Sequence, residues 1–254
     1  MPSEWSETAF AGVVALVVLS TAGYAAWRAV RCTAGWRYWM LHSLARGYTR
    51  LLFRRAATGV RAYPEHGPGM VVANHTSPVD PMLLWADHAM DFPARHLRVI
   101  SFMVAREYAE SAGVVGWVCR MMRSIPVDRQ STDVVPAREA LRRLRNGDLV
   151  GMFPEGGINL DPPNLGKAST GVAWLALKAR VPVYPVFIRN SPRGTNMVNS
   201  FYTRSRSMIC YAEPLEFNQY YGEEKSRDIL RQVAKLIMQR IAETGGVSPA
   251  CSDD

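Results

Sequence analysis

A histidine and an aspartate five residues apart are the side chains of this sequence best suited to acid–base chemistry. They are His75 and Asp80, in the run 74–80 that reads Asn-His-Thr-Ser-Pro-Val-Asp. Histidine has an ordinary pKa close to neutral pH, so it can take a proton from a weak nucleophile such as an alcohol. A carboxylate on its second ring nitrogen fixes the tautomer and stabilises the imidazolium. The spacing therefore predicts a general base, His75, oriented by Asp80.

The same run also has a purely structural interpretation. Ser77 can cap a helix, Pro78 suits the first helical position, and Asp80 would face the positive end of the helix dipole. The two interpretations are compatible, because one carboxylate can serve a helix start and a histidine together.

Three further motifs follow along the chain. Residues 125–129 read Ile-Pro-Val-Asp-Arg, residues 153–157 read Phe-Pro-Glu-Gly-Gly, and residues 181–186 read Val-Pro-Val-Tyr-Pro-Val. Together with run 74–80, in this order and at these intervals, they resemble the glycerophospholipid acyltransferase family, typified by 1-acylglycerol-3-phosphate acyltransferase. The resemblance covers roughly residues 65–190, and the ordered set is more specific than any single motif.

The resemblance implies a role for each matching residue. His75 and Asp80 would be catalytic, Asn74 would support their motif, and Glu155 and Gly156 would contact the acceptor. Three basic residues would bind the acceptor's phosphate: Arg129, Arg106 (where the family usually has lysine) and Lys167. The sequence departs from the family at Gly157 and Ile158, which stand where the family usually has threonine and arginine. That departure bears on the identity of the acceptor more than on the reaction.

The implied reaction is transfer of a fatty acyl group from an acyl thioester, acyl-coenzyme A or acyl carrier protein, to a lysophospholipid hydroxyl. The first candidate acceptor is 1-acyl-sn-glycerol 3-phosphate, which would give phosphatidic acid. Because the co-substrate brings the activated acyl group, no cofactor is expected, and the four scattered cysteines have no metal-ligand spacing. A lyso-ornithine lipid or a glycolipid is an alternative acceptor. A non-catalytic membrane-binding protein is a further alternative, although it would have no use for this ordered set of His75, Asp80 and Glu155.

The N-terminal segment predicts a membrane anchor over residues 1–34. No charged residue lies between Thr8 and Trp27, and about twenty apolar residues suffice for a helix to cross the hydrocarbon core. A cleaved signal peptide is the competing interpretation, but Glu4 and Glu7 precede the apolar run instead of positive charge. By the positive-inside rule, the arginines that follow the run place the catalytic domain on the cytoplasmic face. They are Arg28, Arg31, Arg37, Arg46 and Arg50.

Residues 35–60 mix aromatic and aliphatic side chains with arginines at helical spacing. Such a helix either lies in the lipid interface or packs on the core of the protein, and its tryptophans and arginines favour the interface.

Residues 61–244 are expected to form the catalytic domain, and residues 245–254 a flexible tail. Short apolar runs predict strands at Gly69–Ala73, Leu97–Met103, Asp148–Phe153, Val183–Arg189 and Met208–Ala212. Amphipathic runs predict helices at Pro81–Ala89, Ala105–Ala112, Val134–Asn146, Ser169–Ala179 and Lys225–Thr244. Residues 159–166 and 190–199 have loop composition. This alternation predicts an α/β fold with a mixed, largely parallel sheet flanked by helices, preceded by the anchor and the amphipathic helix.

Charge and missing motifs narrow the function further. The 254 residues carry a formal net charge of +8, which favours anionic partners such as phosphorylated lipids, coenzyme A, an anionic membrane or nucleic acid. The family resemblance selects lipids and the membrane and gives no role to nucleic acid. The chain lacks the Gly-x-Ser-x-Gly motif of serine lipases, and its one Gly-Lys pair, Gly166-Lys167, has no P-loop context.

Overall fold

The fold is built on a seven-stranded sheet. In the computed structural model, residues 4–59, 63–64, 66–87, 97–128, 134–161 and 164–248 are described. The strands are β1 (Ala56–Thr58), β2 (Gly69–Ala73), β3 (Ile100–Ala105), β4 (Ile125–Val127), β5 (Leu149–Met152), β6 (Val183–Arg189) and β7 (Met208–Tyr211). Their spatial order is β1-β7-β6-β2-β5-β3-β4. Every neighbouring pair is parallel except β6 and β7, which are antiparallel.

Helices precede the sheet, connect most of its strands and end the described chain. They are α1 (Glu4–Arg31), α2 (Trp36–Leu52), α3 (Asp80–Asp87), α4 (Arg106–Ala109), α5 (Val114–Met121), α6 (Val135–Arg145), α7 (Thr170–Ala179), α8 (Met197–Tyr202) and α9 (Arg227–Gly245). This arrangement confirms the predicted α/β class with a mixed, largely parallel sheet and an apolar helix before it.

The sheet is buried on both faces, and β2 shows how the sequence achieves this. Met70 and Val72 point into the core that contains α6, α7 and α9, whereas Val71 and Ala73 point into the core that contains α2 and α3. Because successive side chains of a strand alternate between faces, a run of consecutive apolar residues fills both cores. All five β2 residues are buried.

The two N-terminal helices differ in burial. In α1, the 25 residues Glu7–Arg31 form the one helix of the described chain long and apolar enough to cross a membrane, and that segment is not buried inside the protein. Helix α2 buries Tyr38, His42, Ala45 and Thr49 on one side and leaves large apolar side chains exposed on the other. Both interpretations of residues 35–60, core packing and contact with the lipid interface, therefore have a physical basis. One face of α2 packs on the core, and the other exposes apolar side chains.

Several elements differ from the sequence expectations. Strand β1 lies within residues 35–60, so the sheet begins before residue 61; three residues are too few to show a periodic pattern. Helix α5 was not predicted. Helix α8 begins at Met197, inside the predicted loop 190–199, where the Asn196 side chain accepts a hydrogen bond from the Asn199 N–H at 3.1 Å.

Candidate active site

His75 and Asp80 are in contact at the carboxyl end of the central strand β2. The His75 Nδ1 atom lies 3.0 Å from the Asp80 Oδ2 atom. The His75 side chain retains 12% of its exposure, while that of Asp80 is fully buried. The contact expected from the spacing is therefore present, and only the imidazole of the pair keeps access to the outside.

Asp80 is held by the turn that precedes it. Its Oδ2 atom also accepts the backbone N–H groups of Thr76 at 2.7 Å and Ser77 at 2.8 Å. Asp80 is the first residue of α3 and lies in its first turn, and its carboxylate also closes the turn 76–79 before the helix. A buried carboxylate that already accepts two backbone N–H groups acts as an acceptor toward His75, so it favours a proton on Nδ1 and leaves Nε2 as the nitrogen able to accept one.

Phe153 covers one face of the imidazole. The two rings stack with centroids 4.2 Å apart and an angle of 17° between their planes. Phe102 stacks on Phe153 at 5.8 Å, and it reaches this position because Gly151 has no side chain; a Cβ there would lie 2.3 Å from the Phe102 ring. Sequence reasoning assigned no role to Phe153, although it is the first residue of motif 153–157.

Glu155 joins two backbone segments around the histidine. Its Oε1 atom accepts the His75 N–H at 2.9 Å, and its Oε2 atom accepts the Gly166 N–H at 2.8 Å. The carbonyl of His75 accepts the Asn159 N–H at 2.7 Å. Both main-chain groups of His75 are thus held by the segment that follows β5. Gly156 has a φ of 71°, a conformation that favours glycine whether or not a ligand approaches.

Asn74 and Thr76 connect the turn that contains His75, residues 74–79, to β6, the other neighbour of β2. The Asn74 side chain donates to the Ile188 carbonyl at 3.1 Å and accepts the Ile188 N–H at 2.7 Å, so it continues the pairing of β2 with β6 past the end of β2. The Thr76 and Ser191 hydroxyls lie 2.8 Å apart. Asn74 therefore supports the motif by fixing where the turn leaves the sheet.

Two of the three predicted phosphate ligands, Arg106 and Lys167, lie in described segments that follow other strands of the sheet. Arg106 comes directly after β3 and pairs with Glu110 at 2.9 Å on the surface. Lys167 is exposed and follows Gly166, the glycine that Glu155 holds. Arg129 lies outside the described residues, two positions after β4 ends at Val127. Since β2, β5 and β3 are consecutive parallel strands, the described residues that directly follow them share one edge of the sheet.

A cavity of about 350 Å³ opens beside this edge, between α4, α5 and β4. Glu110, Cys119, Arg120 and Ser124 contribute polar atoms to its lining. Burial raises the pKa of the Cys119 thiol, which disfavours the thiolate that a nucleophilic cysteine needs. Cys119 is therefore poorly suited to act as a nucleophile in this cavity.

The fold and the site define an acyltransferase-type protein. The Acyltransferase family model matches residues 54–189, more than half of the chain, and the protein belongs to that family. This result confirms the family resemblance seen in the four motifs.

Among solved structures, the fold is similar to the 1-acyl-sn-glycerophosphate (LPA) acyltransferase PlsC from Thermotoga maritima. The TM-score is 0.62 at 20% sequence identity, over 93% of this chain and 92% of the other. Glycerol-3-phosphate O-acyltransferase 1 of Saccharomyces cerevisiae is 29% identical over 115 residues, and an uncharacterized acyltransferase of Schizosaccharomyces pombe is 30% identical over 103 residues. Those alignments cover 43% and 39% of this chain but only 15% of each yeast protein.

Proposed function

We propose that this protein is a membrane-bound O-acyltransferase that moves a fatty acyl group from an acyl thioester to the free hydroxyl of a lysophospholipid. The proposed acceptor is 1-acyl-sn-glycerol 3-phosphate, and the product is phosphatidic acid. The observation that carries the proposal is the His75–Asp80 pair, oriented at the carboxyl end of β2 in a chain of the Acyltransferase family.

The proposed mechanism is direct transfer. Nε2 of His75 removes the proton from the acceptor hydroxyl as that oxygen attacks the thioester carbonyl carbon. Asp80 stabilises the imidazolium that forms. The tetrahedral intermediate then breaks its carbon–sulfur bond, and the imidazolium returns the proton to the departing thiolate. The thioester supplies the activated acyl group, so the mechanism uses neither a metal nor a further cofactor.

Basic residues that come after neighbouring strands in the sequence support a phosphorylated acceptor. Arg106 follows β3, Arg129 follows β4 in the sequence, and Lys167 lies in the segment between β5 and α7; we assign the acceptor phosphate to this group. The formal net charge of +8 also favours coenzyme A, the phosphorylated donor, and acyl carrier protein is the alternative donor. Glu155 and Gly156 remain proposed acceptor contacts, alongside the backbone contacts that Glu155 makes.

A membrane location fits the two N-terminal helices. We propose that α1 spans the bilayer, that the exposed apolar face of α2 lies in the lipid interface, and that the catalytic domain faces the cytoplasm. The arginines that follow α1 support this orientation through the positive-inside rule. An anchored enzyme meets its lipid acceptor by diffusion in two dimensions, with the acyl tail of the acceptor still in the bilayer.

A second candidate acceptor is glycerol 3-phosphate, because one matching yeast protein is a glycerol-3-phosphate O-acyltransferase. The two acceptors share the phosphate and differ in whether an acyl chain already holds them in the membrane. The alternative acceptors that carry no net charge are a lyso-ornithine lipid, which is zwitterionic, and a glycolipid, which is uncharged.

The test uses the purified full chain in lipid nanodiscs with radiolabelled palmitoyl-coenzyme A. Lysophosphatidic acid, glycerol 3-phosphate, lysophosphatidylcholine and a lyso-ornithine lipid are supplied in parallel. We expect transfer to lysophosphatidic acid, abolished in His75→Ala and unchanged in the control His66→Ala, which removes an exposed histidine before β2. Transfer that survives His75→Ala would refute the base assignment, and preference for another acceptor would replace the proposed substrate.

A further inference from the structure

Helix α8 presents two apolar side chains to solvent. Val198 is 65% exposed and Tyr202 is 78% exposed, and their four-residue spacing places them on one face of the helix. Single exposed apolar residues are ordinary on protein surfaces, so the pair acquires meaning only from what surrounds it.

The surroundings of α8 are the exposed face of α2. The Tyr48 hydroxyl donates a hydrogen bond to the Phe201 carbonyl, and the two rings lie 6.4 Å apart. Leu44 and Leu51 lie about one turn before and after Tyr48 on α2, and they are 63% and 85% exposed. We call Leu44, Leu51, Val198 and Tyr202 the α2–α8 patch.

Charge identifies the kind of surface that fits this patch. Residues 36–54 and 190–207, which contain α2 and α8, carry seven arginines and no aspartate or glutamate. They are Arg37, Arg46, Arg50, Arg54, Arg193, Arg204 and Arg206, and all except the half-buried Arg46 are exposed. Apolar side chains interspersed with arginines are typical of segments that lie in the interface of an anionic bilayer.

The patch is also continuous with the proposed membrane anchor and with the site. Helix α1 leads into α2 through residues 32–35 and contacts it. The segment between β6 and α8 contacts the turn that contains His75, residues 74–79, because the Ser191 and Thr76 hydroxyls lie 2.8 Å apart. The α2–α8 patch is thus linked through α2 to the proposed anchor, and through the segment before α8 to the turn that carries His75.

We infer that α8 docks on the anionic lipid surface together with α2, as a membrane contact additional to the two N-terminal helices. This contact holds the turn that contains His75, residues 74–79, close to the leaflet that supplies a lipid acceptor. The inference rests on the proposed membrane location, and it adds to that proposal an element from the C-terminal half of the chain.

The direct test places an environment-sensitive fluorophore at Tyr202→Cys. The background carries Cys119→Ser and Cys251→Ser, while Cys32 and Cys210 are buried. The matched control is Leu236→Cys on α9, an exposed apolar position whose helix packs on the opposite face of the sheet. Both labelled chains are reconstituted in nanodiscs of phosphatidylglycerol and phosphatidylcholine, and flotation with the lipid verifies membrane association independently.

We expect the label at position 202 to emit at shorter wavelength and to be quenched by nitroxides on the lipid chains, while the label at position 236 stays water-like. The shift should shrink in phosphatidylcholine alone, because the arginines then lose their anionic partners. A water-like label at position 202 on a chain that floats with the lipid would overturn the inference and leave the membrane location intact. A chain that does not float would instead overturn the membrane location itself.

A kinetic arm measures the consequence for substrate access. Val198→Glu/Tyr202→Glu should raise the apparent KM for a lysolipid presented in anionic vesicles by about tenfold, since two apolar side chains no longer enter the interface. The KM for the same acceptor in detergent micelles, and both values for Leu236→Glu, should not change. An equal KM in vesicles for the α8 variant and the control would refute the seating role.

Discussion

The replacement Glu155→Gln separates two roles of this carboxylate, because its oxygens already hold backbone groups. Oε1 accepts the His75 N–H at 2.9 Å and Oε2 accepts the Gly166 N–H at 2.8 Å. A glutamine has one carbonyl oxygen, so one of these N–H groups would face an amide NH₂. The backbone of His75 would then lose a contact that fixes its position.

The magnitude follows from the lost contact. A hydrogen bond to a charged acceptor contributes about 1.5–3 kcal/mol, and an unsatisfied buried donor adds a cost of similar size. Movement of His75 by about 1 Å is enough to lower the rate about 100-fold. We therefore expect kcat of Glu155→Gln to fall about 100-fold for every acceptor, a larger change than any rise in the acceptor KM.

The assay is steady-state kinetics with lysophosphatidic acid varied at saturating palmitoyl-coenzyme A, alongside a thermal unfolding curve. Glu213→Gln is the matched control, because Glu213 is an exposed glutamate beyond β7. A raised acceptor KM at unchanged kcat would refute the reasoning, and it would identify Glu155 as an acceptor ligand, the role that the family resemblance implies.

Two further replacements test the other contacts of the imidazole. Asp80→Asn keeps the shape of the side chain but removes the charge that stabilises the imidazolium, so kcat should fall by about 10³–10⁴-fold; a variant that keeps a tenth of the activity would contradict the pairing. Phe153→Leu should lower kcat by up to about tenfold, because a stacked ring contributes about 0.5–1.5 kcal/mol, whereas Phe153→Tyr should retain activity. Equal rates for the leucine and tyrosine variants would show that stacking on His75 has no catalytic effect.

The central strands were the most predictable part of the fold. The observed limits of β2 and β6 coincide with the predicted ones, since each is a continuous apolar run bounded by turn residues. Helix α8 was missed because asparagine, serine, proline and glycine dominate the segment before it, and the cap at Asn196 is a local feature within that loop composition. Strand order depends on contacts between distant segments, so no local sequence pattern predicts it.

Contacts of the candidate site between residues close in sequence could be predicted, and contacts between distant residues could not. The His75–Asp80 contact joins residues five apart within one turn, and the spacing alone indicated it. The contacts of His75 with Phe153 and Glu155 join residues about eighty positions apart. They exist because β5 pairs directly with β2, a consequence of strand order. The catalytic role of these residues stays a prediction.

The position of β2 between β5 and β6 explains why so many groups converge on one histidine. The chain passes from β2 through α3 to β3, and β5 later inserts between β2 and β3. The segment after β5 therefore lies directly beside the turn that contains His75, residues 74–79. It supplies Glu155 and Asn159 to the backbone of His75, while β6 supplies Ile188 and the segment after β6 supplies Ser191 to the residues on either side. The backbone of His75 is therefore fixed by the segment after β5, and the residues on either side of it are fixed by β6 and the segment after β6. Changes at Asn159 or in residues 188–191 should alter the rate, although we propose no substrate contact for these residues.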